Sequence, residues 1–158
     1  VNEFEISQYI TETLEGVDVV TDAGNRFFFY NPESTVPPDH RFPFVTLVTN
    51  DLYDRFSDLS RQSIFRLNIG IGKHTFRTLF GEQTHLSEGS TETISGEHAG
   101  THDFAALDRV MPHPVYGHMH WVCVLNPGEE IFETTVRHLL SEAYGLAGER
   151  YQRQARCR

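Results

Sequence analysis

The sequence predicts an α+β domain, a mainly antiparallel sheet of about five strands with helices on one face. Three observations carry this. The two ends of the chain have helical periodicity. Short turns join the early apolar runs, which favours antiparallel neighbours over crossover connections. The stretch 64–71 alternates apolar and polar residues as a strand with two unlike faces does. At 158 residues with 39% hydrophobic content, the chain fits one domain, 1–158, with one core.

In "EFEISQYITETLEG", Ile6, Ile10 and Leu14 recur every four residues and Gly16 offers a stop, so a helix is expected. "VDVV" and "RFFFY" flank "DAGN", which predicts a hairpin of 17–20 with 26–30. Residues 31–41 hold three of the seven prolines and read as loop. "FPFVTLVT", 42–49, is the third strand, and "NDLYDRFSDLSRQ" reads as turns or a short helix. In "SIFRLNIGI", Phe65, Leu67, Ile69 and Ile71 share one face, and Arg66, Asn68 and Gly70 the other. "GKHTFRTLFG" predicts a short helix burying Phe76, Leu79 and Phe80 between Gly72 and Gly81.

Residues 81–101, with four Gly and four Glu, read as a flexible insertion. "THDFAALDRVM" is expected to be a short helix capped by Thr101 or Asp103, and "HWVCVLN" the fifth strand. "NPGE" reads as a helix start, with Asn126 as cap, Pro127 in the first turn and Glu129 completing a capping box. Phe132, Val136, Leu139, Leu140, Ala143, Tyr144 and Ala147 form the last helix's apolar stripe. Gly145 and Gly148 weaken its end, so 149–158 is expected to be a frayed basic tail.

The formal charge of −9 is uneven: Arg137, Arg150, Arg153, Arg156 and Arg158 oppose only Glu142 and Glu149 at the C-terminal end. An acidic body repels phosphate backbones, which argues against nucleic acid as a partner. No run approaches a membrane span, and the opening residues are acidic where a signal peptide is basic. Cys123 and Cys157 are expected as free thiols in a reducing cytoplasm.

The segments "FFFYNP", "FPFVTLVTNDLYD", "FRLNIGIGKHTFRTLFG", "HDFAALDRVMPHPVYGHMHWVCVLNP" and "LLSEAY" together resemble a bacterial family catalogued as a domain of unknown function, the one numbered 6194. More distantly, 64–80, the "H…HW" strand and "LLSEAY" are similar to MmcQ/YjbR-like proteins. That second likeness implies a compact α+β fold and a DNA-binding label that rests on fold analogy.

Chemistry concentrates in "MPHPVYGHMHW", with three histidines in eight residues. His118 and His120 flank Met119, so an extended chain would point both to the face opposite Met119 and Trp121. The strand face bearing Arg66 and Asn68 would be a concavity if helices cover the other side, with Arg66 a planar fork for an anionic group. The reading is a small-molecule pocket of Arg66, Asn68, His113, Tyr116 and Trp121, with His118 or His120 as proton-transferring, catalytic groups.

Each residue also has a structural reading: loop imidazoles bonding backbone carbonyls, and polar residues on a solvated sheet face. Asp51, Asp54 and Asp58 fit acids near a pocket or solvated loop equally. The alternatives are a nucleic-acid or protein interaction module using the Arg-rich helix, and a His-ligated metal enzyme. No HExxH or paired CxxC occurs, and "GIGKHT" fits neither nucleotide motif, so neither a metal nor another cofactor is expected in the leading reading. The oligomeric state is left open.

Overall fold

A computed structural model describes residues 1–81 and 102–157. Its elements in chain order are α1 (Glu3–Thr13), β1 (Val17–Asp22), β2 (Asn25–Tyr30), β3 (Val45–Val48), β4 (Arg66–Gly70), α2 (Lys73–Phe80), β5 (Met111–Pro112) and β6 (Trp121–Leu125). The last helix, α3, is α-helical over Glu129–Ile131, π-helical over Phe132–Val136 and α-helical again over Arg137–Arg156. The expected insertion 81–101 lies, but for Gly81, outside the described residues.

The strands form one antiparallel sheet in the order β1-β2-β3-β4-β6-β5. The α+β expectation holds, with six strands in place of five. The additional strand, β5, is two residues long and contains Pro112, which suits it to an edge where no donor is needed on the outer side. The β1–β2 hairpin turns at Ala23 and Gly24, both with positive φ, as a tight two-residue loop requires.

Register sorts the side chains. Val45, Leu47, Leu67, Ile69, Val122 and Val124 pair across β3, β4 and β6 on one face. There they pack with Ile6 and Ile10 of α1 and with Phe132, Val136, Leu139, Leu140, Ala143 and Ala147 of α3. Thr46, Val48, Arg66, Asn68, Gly70, Trp121, Cys123 and Leu125 occupy the opposite face. A smaller core of Val48, Leu59, Phe104, Met111, Cys123 and Leu125 covers one end of it beneath the loops 49–65 and 102–110.

Several local expectations are corrected. Residues 102–110 are turns rather than a helix: Asp103 closes a single turn through its carbonyl and carboxylate, and the chain then opens toward β5. Thr101 lies outside the described residues. Asn126 does not cap α3. Its side chain accepts from Phe65 N–H and donates to Ser63 O, both at 2.9 Å, clipping the start of β4 to the end of β6. Helical residues begin at Glu129, and the N–H of the capping Gly128 is taken by Asp108. Leu79 is exposed, leaving Phe76 as the buried residue of α2. Helical backbone runs to Arg156 across Gly145 and Gly148, where the sequence predicts fraying.

Both cysteines are free, Cys123 buried and Cys157 exposed. Among the described residues no helix is long and apolar enough to cross a membrane.

Candidate functional site

A cavity of about 790 Å³ lies over the sheet face turned away from the helices and is lined in part by Phe44, Ile71 and, from α3, Leu146 and Arg150. Arg66, Asn68, His113, Tyr116 and Trp121 all line it. So do Thr46 and Val48 of β3, Phe27 paired with Thr46 from β2, and Met119 at the turn before β6. Five of the seven residues singled out from the sequence therefore meet at one hollow, although 47 positions separate Arg66 from His113.

The period-2 alternation of β4 puts Arg66 here, and its surroundings explain how a charge survives at 2% exposure. Nε–H donates to Asn68 Oδ1 at 3.0 Å. Nη1 donates to Asp54 Oδ1 and Ser57 Oγ, each at 2.9 Å, and Nη2 to Asp54 Oδ2 at 2.7 Å. The remaining Nη2 hydrogen faces His113 Nε2 at 3.4 Å. Asn68 passes the network on, donating to Thr46 Oγ1 at 2.9 Å.

In this geometry the Arg66 fork expected to clamp an anion is already engaged. It grips a carboxylate of its own chain, so the pair is neutral as a unit. Burial pushes the Asp54 carboxyl up, but the hydrogen bonds and charge of Arg66 outweigh it and hold the group below its usual range.

His113 ends β5 and begins the turn that closes from Gly117 N–H to His113 O at 3.0 Å. Its Nδ1 accepts from the N–H groups of Val115 and Tyr116, both at 3.0 Å. Burial, followed by the positive charge of Arg66, pushes the imidazole down to about 3, so the ring is neutral across the physiological range. The Tyr116 ring tilts over it with 5.1 Å between centroids.

Trp121 opens β6 opposite Gly70, and a Cβ at position 70 would sit 3.0 Å from the indole. Glycine is what lets the ring lie against the sheet. Cys123 shares this face, but burial raises its thiol to about 12, which leaves it a packing residue.

His118 and His120 are not among the residues lining the cavity. The extended alternation assumed for them does not occur, because Gly117–Met119 forms a 3-10 turn and His120 is left-handed at φ 67. His118 is exposed, and His120 stacks edgewise on Phe76 of α2 at 5.5 Å. Burial and the charges of Lys73 and Arg77 push the His120 imidazole down.

The anion seat considered at "GIGKHT" is likewise filled from within. Glu142 of α3 accepts from Gly72 N–H at 2.8 Å and from the Thr75 hydroxyl, placing a carboxylate at the start of α2. Among the described residues no group of three or more His, Cys, Asp or Glu side chains is arranged to hold a metal ion.

Sequence reasoning weighed Asp54 only as one of three loop acids. Asp51 accepts from Leu59 N–H, and Asp58 bonds Ser60 and Arg61, each holding its own loop. Only Asp54 reaches the sheet. The available signal was Arg66 itself, since a buried guanidinium requires a carboxylate from somewhere.

No curated protein and no solved structure matches the chain, so the MmcQ/YjbR likeness gains no support from either comparison. Over residues 1–156 the chain matches the model described as "Family of unknown function (DUF6194)", and it belongs to that family.

Proposed function

We propose that this protein binds a small, largely apolar molecule in the cavity over the exposed face of its sheet. The observation that carries the reading is the pairing of a hollow of about 790 Å³ with a buried polar cluster at its floor. Ligand sites combine these features: apolar and aromatic walls for affinity, and a few fixed polar groups for orientation. Trp121, Tyr116, Phe27 and Met119 supply the walls, and Arg66, Asn68 and His113 the polar groups. At the floor of the cavity Asp54 already matches Arg66, which favours an uncharged group there over the anionic one suggested by the sequence, while Arg150 of α3 is a second guanidinium in the lining. Catalysis is not part of this reading, because His118 and His120 stand outside the cavity.

Trp121 is the chain's one tryptophan, so its emission reports on this cavity. A thermal-shift screen of uncharged aromatic compounds, followed by fluorescence titration, tests the proposal. Stabilising compounds that alter Trp121 emission support it. Compounds that stabilise without touching that emission place binding elsewhere, and a screen without stabilisers counts against ligand binding.

A further inference from the structure

Three N–H groups converge on the His113 ring, and a neutral imidazole has one lone pair to offer them. Two are backbone groups, Val115 and Tyr116, held against Nδ1 by the 113–117 turn. The third is Arg66 Nη2, 3.4 Å from Nε2. Backbone donors fixed by a turn cannot swing away, so Nδ1 keeps the lone pair and Nε2 carries the hydrogen. A guanidinium is likewise a donor only. The 3.4 Å contact is therefore two donors side by side.

His113 is 5% exposed, and Arg66 Nη2 is the one polar neighbour that its Nε2 has among the described residues. Both side chains line the cavity. A buried donor left without an acceptor costs about 1–3 kcal/mol, and here the two side chains that carry such hydrogens both line one hollow.

We propose that Arg66 Nη2–H and His113 Nε2–H form a receptor for a single uncharged carbonyl oxygen, that of an aromatic ketone or amide. This rests on the cavity reading above and names what the cavity selects. A carbonyl oxygen has two lone pairs in one plane and accepts both donors at once, with no hydrogen of its own needing a partner. An alcohol would bring such a hydrogen to a place crowded with donors. A carboxylate would set its charge beside Asp54, whose oxygens lie 2.9 and 2.7 Å from the same guanidinium. The aromatic part of the ligand would lie against Trp121 and Tyr116.

The test uses the full chain and three probes of similar size: acetophenone, ethylbenzene and benzoate. Imidazole nitrogen NMR at neutral pH should show His113 as the neutral Nε2–H tautomer; an Nδ1–H tautomer overturns the proposal directly. In NMR titrations acetophenone should bind about tenfold tighter than ethylbenzene, the scale of one hydrogen bond to a charged donor. It should also outbind benzoate and shift the His113 Nε2–H signal. His113→Asn keeps an acceptor for Val115 and Tyr116 but removes the Nε2 donor, so this variant should bind the first two probes more nearly alike. Equal binding of all three probes by the native chain would overturn the carbonyl receptor while leaving the cavity reading intact. Tightest binding of benzoate would replace it with an anion site. Binding of none would overturn both.

Discussion

The two faces of this sheet are built from the same strands by opposite means. On the helix side, Leu67 and Ile69 are packed among aliphatic and aromatic neighbours from α1 and α3, and burial of apolar area holds them there. On the cavity side, Arg66 and Asn68 of that strand are nearly as buried, yet they are held by charge and hydrogen bonds reaching Asp54, Ser57 and Thr46. An apolar core tolerates exchange of one hydrocarbon for another of similar volume. A polar cluster does not, because each member satisfies another. A costly polar cluster with unfilled space beside it is the feature on which the proposed binding rests.

Breaking the cluster should produce the largest effect. Arg66→Met leaves Asp54 as an unpaired carboxylate whose side chain is only 9% exposed, and should cost about 3–5 kcal/mol in a denaturant titration. Adding Asp54→Asn should return a large part of that loss. Leu67→Ala, one residue along, should cost about 2–5 kcal/mol through its cavity, with no benefit from Asp54→Asn. If Asp54→Asn rescues neither variant or both alike, the contrast between the faces fails.

Acid sharpens the comparison next. The folded His113 ring stays neutral down to about 3, while in the unfolded chain it takes up a proton near its ordinary 6.5. Between those values the unfolded state binds more protons, so stability falls as the pH drops, by up to about 1.4 kcal/mol per unit. Asp54, held below its ordinary 3.8, adds to the loss once the pH falls through that value. His113→Asn should flatten the limb between pH 6.5 and 4 relative to the native chain. Parallel losses in urea midpoints for the two proteins would show that His113 is not its source.

The cavity wall should respond more modestly. A methyl group at position 70 would come within 3.0 Å of the Trp121 indole, so Gly70→Ala should push the ring outward. The expected cost is about 1–3 kcal/mol, as for overpacking elsewhere, with a change in Trp121 emission. Unchanged emission would mean that the indole does not rest on the sheet as described.

How much of this was readable in advance follows from the range of each signal. The face assignment of Arg66 and Asn68 needed only the two-residue period of β4, which side chains on a paired strand must obey. The family was legible because its segments span nearly the whole chain. Asp54 was not, because its role depends on a loop crossing the sheet, and polar loop sequence has no periodicity to reveal that. The histidine stretch misled for a related reason. Gly117 allows a 3-10 turn, and the left-handed His120 after it resets the direction of every side chain before β6.

That reset yields the smallest prediction and the sharpest contrast within the loop. His118 is exposed on the turn, and no polar side-chain contact ties it down among the described residues. His118→Ala should therefore change stability by no more than about 0.5 kcal/mol, as surface substitutions usually do. Probe binding should also be unchanged, since His118 does not line the cavity. His120→Ala removes an edge contact with Phe76 and should cost somewhat more, about 0.5–1.5 kcal/mol, again without altering the carbonyl preference. Both readouts should thus separate His113 from its two neighbours, although all three lie within eight residues. A loss of binding in His118→Ala with stability intact would return the chemistry to the exposed imidazole, because an unchanged fold leaves the lost side chain itself as the source of the effect.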